Sequence, residues 1–159
     1  MIYEHFEPGV SATTWRVPIE GGTPEKVSDG FSARPTPSPD GKWLAFWQND
    51  GQPGSPWRLG LFSLESGKLI RTFEVAATVR IGWDANLRWD ADSRGVTYVD
   101  NRGGIENLWT QSIDGGRAKQ STNFADGKIF SFDWSRDGSL VVSKGVITSD
   151  VVLITDAGK

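Results

Sequence analysis

One histidine, no cysteine and a scatter of acids and arginines set the chemistry open to this chain. A Ser-His-Asp triad would need His5 beside a nucleophile on a sharp Gly-x-Ser-x-Gly turn, and that motif occurs nowhere in the sequence. His5, next to Phe6, is expected to be an ordinary strand residue, and no residue is expected to be catalytic. Without cysteine there are no disulfides, thiolate metal sites or cysteine nucleophiles. The run Asp90-Ala91-Asp92-Ser93-Arg94-Gly95 resembles the start of a calcium loop, but Asn101 stands where the loop's closing Glu belongs. Turn chemistry accounts for it better. Gly103-Gly104, preceded by Arg102, lacks the glycine spacing and strand-loop-helix setting that cradles a phosphate. No cofactor and no metal are expected.

The elements that must position any site are written in a repeat. Trp15-Arg16-Val17-Pro18-Ile19-Glu20-Gly21-Gly22 returns as Trp109-Thr110-Gln111-Ser112-Ile113-Asp114-Gly115-Gly116, with a looser copy at Leu61-Phe62-Ser63-Leu64-Glu65-Ser66-Gly67. A second phrase alternates with it: Pro37-Ser38-Pro39-Asp40-Gly41, Trp89-Asp90-Ala91-Asp92-Ser93 and Trp134-Ser135-Arg136-Asp137-Gly138. A period of about 45–52 residues with several short strands per unit marks a β-propeller. Each unit reads as four antiparallel strands, counted outward from the propeller axis. The first ends at the Trp or Pro of the second phrase. The second strands are 43–47, 96–99 and 140–142, β-branched and aromatic runs suited to burial between sheets. The third strands are expected at 58–64, 107–113 and 150–154, and the acid-Gly-Gly turn then leads into the fourth.

This register predicts an all-β, incomplete propeller of about three and a half four-stranded blades in an open arc. The units are a partial blade at 1–29, blades at 31–73 and 84–123, and a partial closing blade at 127–156. At the N-terminus, 2–6 aligns with second strands and 13–19 with third strands. An arc exposes its end flanks and edges. Two arrangements would cover them: the chain is the C-terminal piece of a longer polypeptide, or two copies close head-to-tail into one ring.

Inner strands line a propeller's axis, so Asp84 and Asp133, with Arg34, Arg80 and Arg88, are the candidate channel or partner contacts. The eight tryptophans follow the repeat and are read as packing residues. Net charge is −3 and no Lys/Arg run occurs, which disfavours a nucleic-acid partner. No apolar stretch reaches the roughly 18–20 residues a membrane span needs, so no membrane contact by this segment is expected. Residues 1–7 carry acid where a signal peptide carries base. The chain as written is expected to be soluble and cytoplasmic, or extracytoplasmic within a longer membrane-anchored protein.

Ser38-Pro39-Asp40-Gly41-Lys42-Trp43-Leu44-Ala45-Phe46 resembles the TolB-like, or WD40-like, bacterial propeller repeat, with Pro37 standing where Trp is usual. The segment after Ser135-Arg136-Asp137-Gly138 is one residue short of that pattern. The end, from Ile129-Phe130-Ser131-Phe132-Asp133-Trp134 through Asp150-Val151-Val152-Leu153-Ile154, resembles the closing blade of a bacterial subgroup. Tyr98-Val99-Asp100-Asn101-Arg102-Gly103-Gly104, leading into Asn107-Leu108-Trp109, is similar to the same subgroup. In it a propeller follows a serine/threonine protein kinase domain or a winged-helix domain. The chain itself has none of the motifs that hold ATP, Mg²⁺ or the attacking hydroxyl of a kinase. The resemblance implies a non-catalytic interaction or sensing propeller within a larger signalling protein, with a protein or peptide partner. Alternatives are the accessory propeller of a prolyl-oligopeptidase-type peptidase and a stand-alone TolB-like periplasmic interaction protein. The loop 48–56, with Gly51, Pro53 and Gly54, is the first place to look for partner contacts.

Overall fold

The computed structural model describes residues 1–6, 12–28, 30–52, 54–82 and 86–149. Asp84, Pro53 and the third strand expected at 150–154 lie outside them. The described residues form thirteen strands: β1 (Ile2–His5), β2 (Thr13–Arg16), β3 (Glu25–Lys26), β4 (Phe31–Pro37), β5 (Trp43–Asn49), β6 (Arg58–Ser63), β7 (Lys68–Glu74), β8 (Arg88–Trp89), β9 (Gly95–Arg102), β10 (Ile105–Ser112), β11 (Lys119–Gln120), β12 (Lys128–Trp134) and β13 (Leu140–Gly145). They form four sheets in sequence order, β1-β2-β3, β4-β5-β6-β7, β8-β9-β10-β11 and β12-β13, antiparallel throughout. This is the all-β, incomplete propeller that the repeat predicts.

The second strand of a blade reads as a continuous apolar run because both of its faces are buried. Along β5, Leu44 and Phe46 pack toward the first sheet with Val27, Phe62 and Ile2. Ala45 and Trp47 turn the other way and pack against Leu87, Trp89, Val96 and Tyr98 of the third sheet. β9 repeats the device, giving Val96 and Tyr98 to the second sheet and Val99 to Ile129 and Phe132 of the fourth. The core is thus three slabs between stacked sheets. Trp47, fully buried, meets the Tyr98 ring edge-on with centroids 5.5 Å apart. Burial, before the nearby Asp100 charge, pushes the Tyr98 phenol up to about 12.

The second repeat phrase is a hydrogen-bonded staple between first and second strands. Ser38 Oγ donates to Asp40 Oδ1 (2.5 Å), which also accepts the Lys42 N–H, while Ser38 Oγ accepts the Trp43 N–H (3.0 Å). Gly41 adopts φ +72°, a conformation glycine reaches without a Cβ clash. In the fourth sheet Ser135 donates to Asp137, whose carboxylate also accepts the Ser139 N–H. That turn is one residue shorter: Trp134 pairs with Leu140, where Pro37 pairs with Leu44 and Trp89 with Val96. The third sheet substitutes carboxylate for hydroxyl, Asp90 Oδ1 accepting the N–H groups of Arg94 (2.9 Å) and Gly95 (2.8 Å). Burial, then the neighbouring Asp92, raises the Asp90 pKa. Ser93 occupies the glycine position at φ +61°, and its hydroxyl accepts the Asp40 N–H of the preceding turn (3.1 Å). The motif that looked most like a calcium loop is a turn that ties two blades together.

These staples titrate. The Ser135 hydroxyl, then the Ser139 N–H, lowers the Asp137 carboxyl from 3.8 to about 2. A depressed folded-state pKa contributes stability above the unfolded value that is lost as pH falls through the folded one. Carboxyl-carbon NMR titration is expected to place the Asp137 midpoint near 2. Ser135→Ala is expected to return it toward 3.8, and an Asp137 midpoint already at 3.8 in the parent protein would refute the staple.

Candidate functional site

The inner strands β4 and β12 are each irregular in the middle. β4 slips by one residue between Ala33 and Thr36, and β12 between Ile129 and Ser131. In the third sheet Val79 pairs with Asp100 and Arg88 with Thr97. An unpaired residue bends the strand and re-aims its side chains. Arg34 sits in such a bulge at φ +59°, its N–H held by the Glu4 carboxylate (2.7 Å) and its Nε by the Gly82 carbonyl (3.3 Å).

The bulges leave a wall along the inner strands with two hollows. One, of about 320 Å³, is lined by Tyr3, Glu4, Arg34, Thr36, Asn86 and Arg88, among others. The second, about 340 Å³, lies toward the staple turns and includes Pro37, Trp89, Arg88, Asp133 and Trp134. Thr36 and Arg88 line both, so the hollows adjoin. Arg88 gives Nη1 to the Leu87 carbonyl (3.0 Å) and stands with Nε 3.4 Å from Asp133 Oδ2, a partly exposed pair joining the third and fourth sheets.

Three of the candidate residues, Arg34, Arg88 and Asp133, therefore meet on one wall. Arg80 lines neither hollow. It is largely buried, with Nη1 bonded to the Glu106 carboxylate (3.2 Å) and to the Ile129 carbonyl (2.8 Å). Glu106, 3% exposed, also accepts the Ile129 N–H (2.6 Å). This network clamps the β12 bulge to the third sheet. Asp84 lies outside the described residues. Glu4 and Asn86 escaped the sequence reading because nothing in the repeat marks them, and Arg136 because the second phrase marks it only as a turn residue; the stacking of sheets brings all three to the wall.

The tryptophans of the second phrase do more than fill space. Trp89 Nε1 donates to the Thr36 carbonyl (2.8 Å) and Trp134 Nε1 to Thr97 Oγ1 (3.3 Å), each reaching back to the preceding blade. His5 packs edge-on to Trp15, centroids 6.3 Å apart. Among the described residues no cluster of His, Asp or Glu has the arrangement to hold a metal ion, and no helix is long and apolar enough to cross a membrane.

The loop after β5 is braced from within: Gly51 N–H donates to Asn49 Oδ1 (2.9 Å) and Gln52 N–H to Asp50 Oδ1 (3.1 Å). The Ser55 hydroxyl, then the Gln52 N–H, lowers the Asp50 carboxyl. Ser55, Pro56 and Trp57 wall a hollow of about 370 Å³ completed by Val75, Val79 and Ile81.

The fold and this axial wall define a segment of a β-propeller. Solved structures agree on the fold. TolB from Acinetobacter baumannii superposes with a TM-score of 0.64 at 19% identity over 94% of this chain and 36% of that one. A putative TolB from Agrobacterium tumefaciens gives 0.65 at 20% over 86% and 47%. A prolyl endopeptidase gives 0.59 at 20% over 85% and 23%. In sequence, the chain is 30% identical over 152 residues to dipeptidyl-peptidase 5 of Aspergillus oryzae and to a probable dipeptidyl-peptidase 5 of Aspergillus flavus. It spans 20% of the length of those relatives. No protein-family profile matches it.

Proposed function

We propose that this chain is a non-catalytic propeller segment whose role is to bind a protein or peptide. The observation that carries this is the axial wall, where Arg34, Arg88 and Asp133 line two adjoining hollows with no nucleophile–base pair beside them among the described residues. Rigid strands hold these side chains, and the braced loop after β5 adds a second surface at the blade's end. The segment acts within a larger bacterial signalling protein, joined to a serine/threonine kinase or transcriptional-regulator domain, a reading that rests on the resemblance of its last blade. The dipeptidyl-peptidase relatives favour a second reading, the accessory propeller of a peptidase.

Pull-down from the source organism with the tagged chain tests the binding role. Arg34→Ala with Arg88→Ala is expected to lose the partner while the melting curve holds. Retention by that variant, together with retention after replacing 50–55, would refute it. The reading frame upstream and downstream of the coding segment separates the parents: kinase or winged-helix motifs mean signalling, a downstream hydrolase elbow means a peptidase. Exposed Phe130 and Val141 on the fourth sheet and Met1, Phe6 and Ile19 at the other end favour head-to-tail closure of two copies. Light scattering should then give twice 17.4 kDa; a monomer removes that arrangement.

A further inference from the structure

The hollow nearer the staple turns holds two arginines with donors unused. Arg88 Nη2 has no hydrogen bond among the described residues, its Nε and Nη1 being turned to Asp133 and Leu87. Arg136, exposed on the last staple turn, makes no hydrogen bond or ion pair among the described residues. Both line the same cavity, whose remaining wall is mostly apolar, with Pro37, Pro39, Trp89 and Trp134 beside the hydroxyl residues Thr36 and Ser135. Among the residues that line it, two guanidinium groups stand against the single carboxylate of Asp133. Guanidinium offers parallel N–H donors that match a carboxylate two at a time, a stronger contact than a neutral hydrogen bond.

We propose that this cavity receives the C-terminal end of a peptide. Its carboxylate is held by Arg88 Nη2 and Arg136, and its last side chain, proline or aliphatic, lies against Pro37, Trp89 and Trp134. A chain end suits the geometry because it carries charge and an adjacent apolar side chain on the same residue, as the wall does. Chain-end carboxylates are recognised elsewhere by donors fixed on a rigid scaffold. The Trp89 and Trp134 rings are held in place by their bonds to the preceding blades, so the pocket is formed before a ligand arrives. This inference rests on the binding role proposed for the axial wall and names the ligand class.

The probe is the tetrapeptide acetyl-Gly-Ala-Pro-Leu with a free C-terminus, compared with its C-terminal amide by calorimetry and tryptophan fluorescence. The free acid is expected to bind about tenfold or more tightly than the amide, a difference of about 1.4 kcal/mol or more. Arg136→Gln is expected to erase that difference, and added salt to weaken it. Both Arg136→Gln and Ala91→Trp alter exposed turn positions, so the fold is checked by melting and the pocket alone is changed. Equal binding of acid and amide overturns the carboxylate site. If that equal binding disappears in Ala91→Trp, the axial wall still binds peptides and only the ligand class falls. Displacement of the peptide by an equal concentration of inorganic phosphate overturns the proposal in favour of a bare-anion site. No binding of either peptide at millimolar concentration also overturns it, and the binding role is then judged by the pull-down alone.

Discussion

Replacing Glu106 with alanine is expected to remove about 3–5 kcal/mol from the unfolding free energy, the usual cost of breaking a buried ion pair by removing one partner. Glu106 is 3% exposed and bonds Arg80 on one side and the Ile129 N–H on the other. Its loss takes the carboxylate partner from Arg80 and the acceptor from the Ile129 N–H. Domains of this size hold roughly 5–15 kcal/mol in all, so the change approaches global unfolding. Glu106→Gln keeps the acceptor for the Ile129 N–H but not the charge, and is expected to lie between the parent and the alanine variant. Urea unfolding reads both, and an alanine variant within about 0.5 kcal/mol of the parent, the range of ordinary surface changes, would refute the clamp. Because Ile129 sits at the β12 bulge, the glutamine variant is also expected to loosen the wall near Asp133. Chemical-shift changes confined to the fourth sheet would report that.

Trp47→Ala is expected to cost about 3–5 kcal/mol, through lost burial and the cavity it leaves between the second and third sheets. The edge-on contact with Tyr98 contributes about 0.5–1.5 kcal/mol of that. Trp47→Phe makes the sharper test. The indole Nε1 is buried and finds no acceptor among the described residues, and an unsatisfied buried donor costs about 1–3 kcal/mol. Phenylalanine removes that donor while giving up part of the ring's volume. The two changes oppose each other, and the variant is expected within about 1 kcal/mol of the parent. A loss as large as that of alanine would mean the indole N–H is satisfied in solution.

The wall shows how far a one-dimensional reading reaches. Arg34, Arg80 and Arg88 all fall on or beside inner strands and look alike in the sequence. Arg88 faces a cavity and an exposed carboxylate, whereas Arg80 is taken up by Glu106 from β10. Nothing local distinguishes them, because the deciding carboxylate lies 26 residues away on another strand. Glu4 is similar: it stands on β1 yet holds the Arg34 N–H across a separation of 30 residues.

The strand order, the staple turns and the two-sided burial of β5 and β9 were determined by the sequence alone. Each depends on residues close in the chain: Ser and Asp two apart, glycine at a positive φ, and apolar side chains in unbroken runs. Even the short last turn was legible, since counting residues suffices. Which polar groups face the axis was decided only by the tertiary structure. It follows from where the inner strands bulge and from which carboxylate of a neighbouring sheet claims each arginine. A bulge turns a side chain by shifting the register of one strand against its partner, and an ion pair forms between residues brought together only by stacking. Neither has a local pattern from which it could be read.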